Sequence, residues 1–447
     1  MPPQVECLFI KLKVYKVKIM NDLAEKTLTE YKDGLSFARE MDKNDPLKSF
    51  RDMFYIPQNN GEDVVYFAGN SLGLEPKTTR DFIEQELKDW QTLAVDGHFH
   101  AKYPWKYYHE FLTEKTARMI GAEENEVVNM NSLTVNLNLM MVSFYRPTKE
   151  RYKIIMEANA FPSDIYAVES QIKFHGYDPA NALIVPVLRE GESFHRTEDI
   201  LKLIDEQGDS IALVMIAGVN YYSGQAFDMK AITEAGHKKG CKVGFDLAHA
   251  AGNLKMDLHD WDVDFAVWCN YKYLNSGPGA VAGCFVHNKH KDDFEMPRFS
   301  GWWGHKKETR FMMPADFDPT VGVEGWQISN PPIFQMAALN ASLEIFDEAG
   351  MDALRTKSKK LTGYAEYLLK NSGKRSVEII TPSDPEQRGS QISLRVGKEN
   401  KHVHTALNEN NVICDWREPD VIRIAPVPLY NMFEDVWKFN EIIKKHL

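Results

Sequence analysis

From residue 126 to residue 287 the chain alternates apolar runs of strand length with longer helix-favouring stretches, and this rhythm limits the fold more than any other feature. Residues 126–130, 152–156, 182–188, 211–217, 241–245, 265–268 and 281–287 read as strands, and residues 134–145 and 164–174 between them read as helices. Strands separated by helical stretches predict an α/β domain whose mostly parallel sheet is covered on both faces. After Asn330-Pro331-Pro332, residues 334–348 read as a long helix leading into a smaller α+β domain with strands at 377–380, 391–396, 412–413 and 421–424. A chain of 447 residues exceeds one ordinary core. The expected division is an N-terminal extension at 1–20, a helical segment packed on the body at 21–65, a large domain at 66–335 and a small domain at 336–447.

Within this frame two residues stand out. Lys272 sits in Asn270-Tyr271-Lys272-Tyr273-Leu274-Asn275, and Asp246 lies 26 positions upstream at the end of the run Val243-Gly244-Phe245. The stretch between them reads as strand end, crossover and next strand, which brings both side chains to the carboxyl edge of the sheet, where open α/β sheets bind ligands. A lysine amine to form a Schiff base and a carboxylate to keep a pyridine nitrogen protonated are what pyridoxal phosphate requires. Taken singly, each residue has a plainer explanation, a solvated loop lysine and a strand-end aspartate that caps a helix.

Other residues fall at the same edge. Asn131-Ser132-Leu133-Thr134 begins the first sheet helix, where free N–H groups and the Thr134 hydroxyl suit a phosphate; simple N-capping by Ser132 or Asn131 is the alternative. Phe161 can stack on an aromatic ring or fill the core, and Ser163-Asp164 after it are expected to cap the next helix. His249 falls on the face of Asp246 if a helix starts there. The turn at Ala68-Gly69-Asn70-Ser71-Leu72-Gly73 is of a kind that often lines a site.

Composition excludes several function classes. A formal net charge of −11 argues against a nucleic-acid surface, and no apolar run approaches the ~18 residues of a membrane span. Cys7, Cys241, Cys269, Cys284 and Cys414 are too few and scattered for a disulfide framework, which fits a reducing, cytoplasmic setting. The alternating Lys-rich stretch from Leu8 to Ile19 suits a short strand or a basic arm, and it is not a signal peptide.

Six motifs in order, Phe-Pro-Ser-Asp, Asp-Leu-Ala-His-Ala, Asn-Tyr-Lys-Tyr-Leu-Asn, Gly-Trp-Trp-Gly-His, Ile-Ser-Asn-Pro-Pro and Ile-Arg-Ile-Ala-Pro-Val-Pro-Leu-Tyr, resemble the kynureninase family of fold-type-I pyridoxal-phosphate enzymes, a class-V aminotransferase-like group. The resemblance runs from about residue 20 to the end. It implies that Lys272 carries the cofactor, that Asp246 faces its ring nitrogen and that Leu133, Thr134, Tyr271 and Trp302 hold its phosphate. It also implies that Phe161 stacks on the ring, with Ser163, Asp164, His249 and Asn330 close by. His98 and Asn330 match positions facing the substrate's aromatic end, and Arg423 matches the arginine that holds the α-carboxylate. The implied activity is hydrolysis of the Cβ–Cγ bond of L-kynurenine or 3-hydroxykynurenine to alanine and an anthranilate, in tryptophan catabolism toward NAD. Lys272 would be the proton shuttle, with Tyr271 as a relay. The implied state is a cytoplasmic homodimer with shared active sites, and polar groups at His98 and Asn330 favour the hydroxylated substrate. Two departures stand out: Ala217 lies where some relatives carry a hydroxyl, and the first 19 residues have no familial counterpart. The rivals are a cysteine desulfurase, for which Cys414 is the only loose nucleophile, an aminotransferase, and a non-catalytic scaffold on the same fold.

Overall fold

A computed structural model describes residues 30–373 and 377–447, so expectations for the N-terminal extension lie outside the described residues. The first elements are a helix α1 (Leu35–Lys43) and a short strand β1 (Val65–Tyr66). Helices α2 (Thr79–Leu93) and α3 (Glu110–Ile120) follow, then β2 (Val127–Asn129), α4 (Leu133–Phe144), β3 (Lys153–Ile155), α5 (Pro162–Phe174) and β4 (Leu183–Ile184). Next come α6 (Thr197–Gln207), β5 (Ile211–Ala217), α7 (Met229–Lys238), β6 (Lys242–Asp246), β7 (Phe265–Cys269) and β8 (Ala282–Val286).

The seven strands β2 to β8 form one sheet in the order β2-β8-β7-β6-β5-β3-β4. Pairings from β7 across to β4 are parallel, whereas β8 runs antiparallel to both β7 and β2. The chain reverses at the β2 edge because β7 and β8 are joined by the loop 270–281, which carries Lys272 and holds no crossover helix. Central strand side chains alternate between two cores: Val214 and Ile216 pack with α7, while Leu213 and Met215 pack with α4 and α5. Burial on both faces explains why β5 reads Ile-Ala-Leu-Val-Met-Ile-Ala without a polar break.

The expected strand at 182–188 shrinks to two residues at the sheet edge, where one neighbour supplies all its pairing. The long helix α8 (Ile333–Ala349) is followed directly by α9 (Met351–Lys370), a helix absent from the sequence expectation. Beyond them lie β9 (Glu378–Ile379), β10 (Ile392–Arg395), α10 (Lys401–Glu409), β11 (Val412–Ile413), β12 (Asp415–Arg417), β13 (Val421–Ile424) and α11 (Phe433–His446). An antiparallel sheet in the order β9-β10-β13-β12 backs a third core. Two details differ from expectation. The β12 strand was not foreseen, and β11 leaves this sheet to pair in parallel with β1. Ala38, Val65 and Phe67 belong to the same core as Leu361, Leu368 and Val436, whereas Leu47, Phe50 and Phe54 belong to the core under the large sheet, so residues 30–67 pack on both layers.

Candidate active site

The loop after β7 is fixed before it reaches Lys272. Asn270 accepts from the Trp268 indole at 2.9 Å and donates to the Val281 carbonyl at 2.7 Å, tying the exit of β7 to the entry of β8. From the other side, the Gly73 N–H donates to the Tyr271 carbonyl at 2.8 Å. A Cβ at Gly73 would lie 2.3 Å from the Lys272 carbonyl oxygen, so only glycine lets this turn buttress the loop. The turn at 68–73 therefore supports the site from behind.

Lys272 Nζ lies 3.1 Å from His249 Nε2, and its ammonium stands 5.8 Å from the Phe161 ring centroid. His249 is in a turn after β6 instead of a helix, and its Nδ1 is buried without a partner. Burial, followed by the charge of Lys272, holds its imidazole well below the ordinary histidine range, so this ring is neutral. Asp246 ends β6, and its Oδ1 accepts the Ala248 N–H at 2.6 Å. Across the pocket stands a second carboxyl group, Asp164, whose Oδ1 no donor reaches. Two carboxylates can bond only when one keeps its proton. Burial and then the charge of Asp246 push Asp164 well above the usual range, so Asp164 is the protonated partner.

Two helices aim their N-termini at this pocket. Ser132 is the N-cap of α4 and Phe161 that of α5, and neither provides a side-chain cap bond. Capping by Ser132 is thus not what the helix uses. Ser163 and Asp164 lie inside α5 instead of capping it, because Pro162 occupies the first helical position and Phe161 holds the extended backbone before it. The Ser163 hydroxyl meets the Thr134 hydroxyl at 2.9 Å, joining the two helix starts. Phe161 is 42% exposed, which rules out core packing, and sits edge-on to Tyr221 at 5.2 Å.

The donor set fits pyridoxal phosphate. A free helix N-terminus with two hydroxyls suits a phosphate, an exposed aromatic suits a ring face, and a fixed carboxylate with a lysine suits the two reactive ends. The orphaned Asp164 Oδ1 and His249 Nδ1 are buried polar atoms that a polar ligand would satisfy. Leu133, Thr134, Phe161, Ser163, Asp164, Asp246, His249, Tyr271 and Lys272 all line this one cavity. Arg423 is next to it: buried, ion-paired with Asp415, and donating to the Tyr221 carbonyl at 2.5 Å. Its Nε has no partner, and burial lowers its guanidinium to about 10.

Three expected residues are elsewhere in the chain. Trp302 donates its indole N–H to the Arg310 carbonyl at 3.0 Å, His98 packs edge-on against Trp105 at 5.4 Å, and Asn330 lines a separate cleft with Asn131 and Ser132. Four lining residues were missed, the apolar Val219 and Ala248 and the polar Glu157 and Tyr221. Glu157 and Tyr221 follow a strand end by two and four residues, and an acid directly beyond the apolar run Ile154-Ile155-Met156 repeats the position of Asp246 on its own strand; that parallel was available in the sequence. Ala217, expected only to pack, lines the cavity and donates its backbone N–H to Glu157 Oε2 at 3.1 Å. Cys414 is buried and its thiol is pushed up to about 12, which removes the one candidate nucleophile of a desulfurase.

Comparison with known proteins gives a consistent result. Residues 354–443 match a family model described as the kynureninase C-terminal domain. The chain is 59% identical over 405 residues to the kynureninase of Koribacter versatilis, covering 90% of this chain and 96% of that one. It is 56% identical over 417 residues to the kynureninase of Myxococcus xanthus, covering 93% and 98%, and 48% identical over 443 residues to that of Nematostella vectensis, covering 94% and 95%. Among solved structures, the cysteine desulfurase CsdA of Escherichia coli superposes with a TM-score of 0.72 at 16% identity, covering 90% of this chain and 98% of that one. At that identity the likeness speaks for the fold, the fold-type-I architecture with its large and small layers.

Proposed function

The chain belongs to the kynureninase family, and on that premise we propose that the cavity around Lys272 is where it holds pyridoxal phosphate and hydrolyses the Cβ–Cγ bond of a kynurenine. The family assignment makes it a pyridoxal-phosphate-dependent hydrolase acting on carbon–carbon bonds. When bound, the cofactor supplies a ring that withdraws electrons from the carbon skeleton of an amino acid attached to it. Everything else falls to the chain. The observation that carries the proposal is the meeting of Lys272, Asp246 and two side-chain-free helix N-termini in one buried cavity.

Lys272 would anchor the cofactor and, once released by substrate, act as the base at the substrate's α carbon. Neutral His249 at 3.1 Å can accept one ammonium hydrogen, which orients the amine without adding a competing charge. Asp246, fixed by the Ala248 N–H, would hold the proton on the ring nitrogen, while protonated Asp164 donates to Asp246 and keeps its lone pair directed. Leu133 and Thr134, with Ser163, would bind the phosphate, and Tyr271 would add a phenol whose proton burial holds firmly above the usual range. Phe161 would cover one ring face. Arg423 would receive the α-carboxylate through its buried, unpartnered Nε.

Trp302, His98 and Asn330 would enter from a second subunit. Supporting this, Phe99 beside His98 packs on Phe311 at 6.2 Å, and Phe311 packs on Trp302 at 5.4 Å. Phe99, Trp302, Phe311, Met312 and Met313 are all exposed, an apolar patch of the kind that homodimers bury. The polar groups of His98 and Asn330 would then meet a substrate ring hydroxyl and favour 3-hydroxykynurenine. The four described cysteines are free and buried, which supports a cytoplasmic setting. Among the described residues no helix is long and apolar enough to cross a membrane.

The test is to incubate the purified holoenzyme with each kynurenine and assay alanine and the matching anthranilate. Equimolar products support the proposal. Transamination products, or sulfide release from cysteine, would replace it with one of the rival chemistries.

A further inference from the structure

Glu157 is unaccounted for by the proposed chemistry. It stands two residues beyond β3, is 3% exposed, and lines the cavity together with Asp164, Asp246 and Lys272. Its Oε2 accepts the Ala217 N–H at the end of β5, the strand that pairs with β6 through Ala217 and Asp246. Three buried carboxyl groups from three elements therefore face one lysine. Were all three ionised, the cavity would hold three negative charges against one positive, which a desolvated site does not sustain.

We propose that Glu157 is a positioning residue of the cofactor cavity: a third carboxyl group that, while protonated, leaves the cluster with one negative charge, and whose ionisation tightens the grip of Asp246 on the ring-nitrogen proton. The groups facing it are Asp246 from β6, Asp164 from α5, Lys272 from the loop after β7, His249 from the turn after β6, and His195, whose Nε2 accepts the Ala158 N–H at 2.9 Å. Burial keeps both histidines below their ordinary range, so neither supplies a cation to balance a second carboxylate. Burial, foremost, raises the Glu157 carboxyl from the ordinary 4.5 to about 7, with the Asp246 charge adding to it. A folded value above the unfolded one means that stability is complete below pH 4.5 and is lost as pH rises to about 7, with no further loss above.

The proposal rests on the pyridoxal-phosphate reading of the cavity, and its test separates the two. Thermal unfolding and the visible cofactor band of the holoenzyme are followed from pH 4.5 to 9 in wild type, Glu157→Gln and Glu157→Leu. Both variants replace a neutral group by a neutral one at pH 4.5 and remove a charge at pH 8. The Gln variant should unfold with wild type near pH 4.5 and exceed it by about 2–4 °C at pH 8. The cofactor band of wild type should shift through a step near pH 7 that both variants lack. Variants that unfold lower than wild type by the same margin at every pH, with the spectral step retained, would reduce Glu157 to packing and overturn the proposal. So would failure of both variants to fold at pH 5. A wild-type protein without any cofactor band would overturn the cofactor reading itself, and this proposal with it.

Discussion

Asp164 and Asp264 are the same residue type, buried to nearly the same degree at 4% and 1% exposure, yet their carboxyl groups move in opposite directions. Asp264 stands just before β7, at the end of the sheet away from Lys272. It accepts from His237 Nε2 at 2.8 Å, His290 Nε2 at 2.7 Å and the Val243 N–H at 2.8 Å. Burial opposes its charge, but these bonds outweigh burial and hold it well below the usual range. Asp164 receives no donor on Oδ1 and faces another carboxylate, so burial wins. One end of the sheet is electrostatically complete within the chain; the other leaves the buried Asp164 Oδ1 and His249 Nδ1 without partners, which the proposed ligand would supply. Burial alone does not separate a structural acid from a functional one. The partner list does.

The comparison breaks most visibly at Lys272. Lys272→Ala should abolish turnover while leaving the unfolding transition near that of wild type, because the site end contributes chemistry more than stability. Steady-state turnover by the folded variant would contradict this. Asp246→Asn comes next: the shape is kept and the charge is lost, so kcat should fall by roughly 10²–10³, the loss typical of one preorganised electrostatic partner. A rate within a few-fold of wild type would assign the ring-nitrogen proton to another residue.

At the opposite end the expectation reverses. Asp264→Asn removes the common acceptor of two histidines and should cost about 3–5 kcal/mol of stability, the usual result of breaking a buried ion cluster, with kcat changed less than about twofold. The pH dependence should follow. The Asp264 carboxyl is lower in the fold than the ordinary 3.8, so its contribution is present above that value and is lost as pH falls below it; the variant should lack this acid limb. Equal acid sensitivity in both proteins would show that Asp264 is not the determinant.

The smallest effect concerns residues at neither end. If partner copies complete the site, Asn330→Thr and His98→Ser should each change the ratio of kcat/KM for 3-hydroxykynurenine over kynurenine by more than about twofold, by removing a partner for the ring hydroxyl. Wild type favouring kynurenine, or ratios unmoved in both variants, would discard that reading. Sedimentation of an active monomer would discard it as well.

Much of the cavity's lining was legible because its residues obey local rules. Asp246 and Lys272 sit at consecutive parallel strand ends, and position along a strand tells which edge a side chain reaches. The sheet was legible for the same reason, its central strands being apolar throughout. Features set by long-range pairing were not. The transfer of β11 to β1 joins residues far apart in sequence, and the two-residue run Val412-Ile413 carries no mark of its partner. The protonation of Asp164 depends on what does not bond to it. Trp302, His98 and Asn330 carried motif signals that say nothing about which copy of the chain they serve.

The central claim is that this cavity holds pyridoxal phosphate on Lys272. Borohydride reduction of the holoenzyme, followed by digestion and mass spectrometry, would fix the cofactor to its lysine and identify it. The account predicts the label on the peptide containing Asn270-Tyr271-Lys272-Tyr273, and its loss from that peptide in Lys272→Ala. Label on any other lysine of the wild-type protein, or no label despite a bound cofactor, would contradict it.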